Sequence, residues 1–77
     1  MTGSIMTRHT ILRLPEVKTR TGLSRSTIYL RIAEGKFPPP INLGERSVGW
    51  VESEIDAWIA KRIEISRPQP LPAQHSP

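Results

Sequence analysis

The chain has 77 residues, 36% of them apolar, with a net charge of +4, a sequence pI of about 10.4 and no cysteine. That length allows one small domain and excludes a second, and the missing cysteines exclude a disulfide framework and a thiolate zinc site. No apolar run approaches the roughly 18 residues that span a bilayer, and "MTGSIMTRHT" lacks the apolar stretch of a secretory signal, so a cytoplasmic chain with no membrane partner is expected.

The charge is unevenly placed. Residues 13–46 carry seven basic and three acidic side chains, which accounts for the whole +4, whereas residues 52–64 carry four acidic and two basic ones. The first stretch would attract a polyanion and the second would not.

Residues 1–10 are polar and without period, which reads as a flexible N-terminus. In "LRLPEVKTRTG" the residue before Pro15 is pushed towards extended backbone, and proline suits the first position of a helix with Glu16 at its positive end. A short helix over 15–20 follows, with Gly22 as its left-handed terminator and Leu23 dropping beside Val17. Ser24 reads as the N-cap of a second helix that runs to about Glu34 before Gly35 ends it.

Two short helices joined by a tight glycine-containing turn make a helix-turn-helix pattern, which enzymes and bundles also use. On the second helix Ile28 and Ile32 share the core face, Ser26, Thr27 and Leu30 point away from it, and Arg25 and Arg31 flank it. Arginine and hydroxyls at the start of such a helix are suited to base edges in a major groove. The bland alternative is a polar first turn.

In "KFPPPINLGERSVGWV" three prolines end helical structure. The runs "PINL" and "SVGWV" then form a hairpin with Gly44 at the turn and Arg46 near its tip, a wing that would lie along phosphates or reach a minor groove. Lys36, Arg46, Ser47 and Arg20 are the candidate DNA contacts of the wing and flanks. "ESEIDAWIAKRIEI" reads as a third helix over 52–65, with Ile55, Trp58, Ile59 and Ile63 as its core stripe and both Trp50 and Trp58 as core residues. The tail, residues 68–77, has a Pro-x-Pro-x-Pro spacing that reads as disordered chain, with a polyproline ligand as the alternative. His9 and His75 lack ligand spacing to any partner, so no metal and no cofactor are expected, and neither a phosphate loop nor a catalytic constellation suggests an enzyme.

The segments "LPEV", "TGLSRSTIY", "EGKFPPPINLG", "VGW" and "ESEIDAWI", in that order, resemble the AlpA family of small phage and prophage regulators, related to excisionase and MerR-type domains. The resemblance covers residues 11–62. It implies a mainly α winged helix-turn-helix over 11–67 with a small β-hairpin wing, binding double-stranded DNA with sequence preference in the bacterial cytoplasm, and controlling integrase or excision genes of a mobile element. Carried over by position, Ser24, Arg25, Ser26, Thr27 and Tyr29 form the recognition segment, Tyr29 contacting phosphate through its hydroxyl, and the loop 44–47 is the wing. Relatives often have a basic residue directly after the tyrosine; here Leu30 precedes Arg31, which leaves open which of the two meets DNA. Two other functions fit the same residues: a recombination directionality factor that bends DNA at an attachment site, and a protein-interaction module that never touches DNA. Without a long heptad helix, a monomer that self-associates cooperatively on DNA is expected, with no small-molecule ligand.

Overall fold

The computed structural model describes residues 8–67, and the readings for residues 1–7 and for the tail 68–77 lie outside them. The elements follow the order β1 (Ile11–Leu12), α1 (Leu14–Thr21), α2 (Arg25–Ala33), β2 (Ile41–Gly44), β3 (Ser47–Val51) and α3 (Glu52–Ser66). The helix-turn-helix and the hairpin wing of the sequence reading are both present.

Each helix boundary has a local cause. Pro15 sits in the first turn of α1 with Glu16 beside it, and α1 closes at Gly22, whose φ of 75° lets its N–H reach the Lys18 carbonyl. Thr21 turns its hydroxyl back to the Val17 carbonyl and accepts from Leu23 N–H, tightening the turn. Ser24 caps α2 by accepting from Thr27 N–H at 3.2 Å. The first N–H of α3 has no side-chain cap; Glu52 donates instead to the carbonyl of Thr10 at 2.8 Å. That bond ties residue 10 into the fold.

The two-residue strand β1 is absent from the sequence reading. It pairs antiparallel with β3, Ile11 opposite Val51 and Leu12 opposite Trp50, which makes the hairpin a three-stranded sheet in the order β1-β3-β2. Two residues carry too little periodicity to be read locally, and it is β3 that makes them a strand. The turn also lies one residue further on than expected. Gly44 ends β2 opposite Ser47, and Glu45 with Arg46, at φ of 37° and 71°, form the tip, with a bulge between Asn42 and Gly44.

Leu12, Val17, Ile28, Phe37, Trp50 and Ile55 are buried, drawn from every element except edge strand β2 and from the loop before it. Both tryptophans belong to this packing, Trp50 fully and Trp58 half-buried at its edge. Their indole N–H groups donate to the carbonyls of Pro38 and Lys36, at 3.0 and 2.8 Å, so the proline loop is clipped down at two points and Phe37 packs edge-on against Trp58. The core stripe of α3 stops short of its reading. Ile63 remains 49% exposed, and Ile55 is the buried residue of α3.

Candidate nucleic-acid interface

The first two turns of α2 carry the recognition candidates. Ser24 accepts the Thr27 amide, and its hydroxyl donates to Thr27 Oγ1 at 3.0 Å with Ser26 Oγ 3.4 Å away, so three hydroxyls form one small network at the helix start. Thr27, tied into that network, is half-buried; Ser26 and Leu30 are exposed, Leu30 at 58%. Arg25 is exposed with its guanidinium 5.2 Å from the centre of the Tyr29 ring, which limits its swing without covering its donors.

Tyr29 joins helix to wing. Its half-buried ring meets Trp50 of β3 edge-on, centroids 6.2 Å apart, so this contact links α2 to the hairpin. At 100° per residue the edge of α2 bearing Arg25 and Tyr29 therefore faces the sheet, and the opposite edge bears Thr27 and Arg31, with Ser26, Leu30 and Ala33 between them. Arg46 projects from the exposed tip, Ser47 is half-buried at its base, and exposed Lys36 lies in the loop after α2, its N–H donating to the Arg31 carbonyl.

Arg20 stands apart from these groups. Its Nε donates to Glu16 at 3.1 Å, its Nη1 to Glu52 at 2.9 Å, and Asp56 lies 3.8 Å away. The hydrogen bonds to Glu16 and then Glu52 raise the guanidinium above its ordinary value and pin α1 to the first turn of α3. Two of the four carboxylates that made residues 52–64 acidic, Glu52 and Asp56, are thus gathered around one arginine at the N-terminal end of α3. The other end is basic.

There the structure forms a cleft that the sequence reading did not foresee. About 490 Å³ in volume, it is lined by Leu23, Trp58, Ile59 and Ile63 and by the four arginines Arg20, Arg31, Arg62 and Arg67. Arg62 and Arg67 went unread because nothing in the linear pattern brings α3 beside Arg31.

The chain matches the family model described as "Prophage CP4-57 regulatory protein (AlpA)" over residues 10–63. It is 52% identical to the ORF88 protein of Enterobacteria phage P4 over 75% of this chain, spanning 66% of that relative, just under two thirds of its length. It is 43% identical to the DNA-binding transcriptional activator AlpA of Escherichia coli (strain K12), over 71% of this chain and 87% of the activator. With the described fold and the quoted motifs lying almost wholly inside the matched residues, this chain belongs to the AlpA family of prophage regulatory proteins.

Proposed function

We propose that the chain is a sequence-specific, DNA-binding transcriptional regulator of a phage, prophage or genomic island, acting on integrase or excision genes. The observation that carries this reading is the outer face of α2, where Arg25, Ser26 and Leu30 are exposed at the start of a capped helix next to a wing tipped by Arg46. Arg25 and Ser26 read base edges in the major groove, Leu30 contacts a thymine methyl, and Arg46 holds the backbone beside the wing. Among the described residues no helix is long and apolar enough to cross a membrane. The DNA-binding activity named for the Escherichia coli relative supports the same reading.

The test is fluorescence anisotropy of the protein with duplexes tiled across its own genomic neighbourhood, from low to moderate salt. The expected result is one preferred site whose log affinity falls linearly with log salt, by about 0.9 for each phosphate contacted. Repeated sites beside an attachment site would turn the reading towards a directionality factor. No binding at low salt would end it.

A further inference from the structure

We propose that the cleft between the helix-turn-helix, which contributes Arg20, Thr21, Leu23 and Arg31, and the C-terminal half of α3 is a second DNA-backbone site. In it Arg31, Arg62 and Arg67 hold phosphates of the strand that borders the recognition helix on the side away from the wing. This rests on the DNA-binding reading above and adds a contact surface to it.

Four guanidinium groups border the cleft, and only one is compensated. Among the described residues every ion pair involves Arg20, which Glu16, Glu52 and Asp56 hold. Among the described residues Arg31, Arg62 and Arg67 form no ion pair, and no acidic side chain lines the cleft. Like charges gathered around one concavity raise the local potential, which favours a polyanion there.

Two of the three are prepared for an acceptor. Arg31 Nε is buried and makes no hydrogen bond within the protein, so no protein acceptor competes with a phosphate for this guanidinium. Arg62 lies 5.9 Å from the centre of the Trp58 ring, so its guanidinium is held over an aromatic face instead of ranging through solvent.

Position favours DNA over an acidic protein. Arg31 lies one turn beyond Thr27 on the edge of α2 opposite Arg25 and Tyr29, and Tyr29 marks the wing side by its contact with Trp50. The cleft and the wing therefore flank α2 on its two sides, as the two backbones flank a helix seated in a major groove about 12 Å wide. Of the apolar side chains that line it, Leu23, Trp58 and Ile59 are half-buried in the protein's own packing, Trp58 has Arg62 over its ring, and only Ile63 is largely exposed.

The test uses the preferred duplex found by tiling and a random duplex of equal length. Anisotropy is measured across a salt series for the parent protein, the double variant Arg62→Gln/Arg67→Gln, and Arg46→Ala. Both glutamine positions are exposed, and an unchanged thermal melt verifies folding. The expected result is an equal loss of affinity for both duplexes, unchanged preference, and a log–log salt slope shallower by about 1.8, two phosphates at about 0.9 each. Ethylation interference should place the phosphates lost in the double variant on the strand opposite those lost in Arg46→Ala. A double variant that keeps the parent's affinity and slope overturns the inference while the regulator reading stands, and leaves an acidic protein surface as the occupant. A parent that binds neither duplex overturns both.

Discussion

Gly49 sits in the central strand where a side chain has no room. A Cβ there would run into the Ile11 side chain and come within 3.0 Å of Leu43 Cδ1 and 3.1 Å of the Leu12 carbonyl oxygen. Two of these three belong to β1, which must pack closely on β3 for the sheet to have three strands. Gly49→Ala should therefore cost about 1–3 kcal/mol, as overpacking does, and lower the melting temperature followed by circular dichroism by at least several degrees. Arg25 makes the opposite case. It packs on nothing but the face of Tyr29, so Arg25→Ala should leave the melt almost unchanged, lose about 1–3 kcal/mol on the preferred duplex and relax the preference, read by anisotropy against single-base variants of the site. Normal binding by that variant would show that the start of α2 does not read bases. The two residues differ in how far the sequence reveals them. The Ser24 cap and the exposed Arg25 follow from rules acting over three or four residues, and both are found where the pattern puts them. Gly49 in "SVGWV" looks like a weak point in a strand until β1 and β2 close in from both sides.

Among the elements, α1 and α2 were legible to within one residue at each end because proline, a serine cap and two glycines punctuate them. The hairpin was legible as a hairpin but not in its register. "LGER" offers glycine as the obvious turn residue, yet pairing Gly44 with Ser47 forces Glu45 and Arg46 into the left-handed region, at φ of 37° and 71°. Two adjacent positive φ values are what a tight two-residue hairpin turn demands, and residues with a Cβ hold them at a cost. Such strain is tolerated where a side chain is needed at the tip. Arg46→Gly should accordingly raise stability by up to about 1 kcal/mol in urea or thermal unfolding while weakening binding to every duplex by a similar factor. A variant that lost stability would mean that the tip is held by contacts other than its backbone, and one that kept full affinity would remove Arg46 from the interface. The third helix was legible at its acidic start and misleading at its far end. Ile63 continues the core period but stays exposed in the lining of the cleft, where Arg62 and Arg67 come beside Arg31.

At the scale of the whole molecule, six buried side chains hold 60 described residues, and a domain of that size has little stability in reserve. Its charge works against it as well. Glu52 and Asp56 of α3 are drawn to Arg20, leaving unpaired arginines on both flanks of α2 to repel one another across the protein. A polyanion seated between those flanks removes that repulsion, so bound DNA should stabilise the fold by linkage. Duplex at 100 times its dissociation constant adds about 2.7 kcal/mol, roughly 10–20 °C for a domain this small. The measurement is a thermal melt of the protein alone, with the preferred duplex and with a random one, at 50 and at 200 mM salt. At low salt both duplexes should raise the melting temperature. At high salt the random duplex should lose nearly all of its effect and the preferred one should keep part, because base contacts on α2 survive the screening that weakens phosphate contacts. Equal shifts from both duplexes at high salt would mean that the protein recognises the shape and charge of DNA and not its sequence.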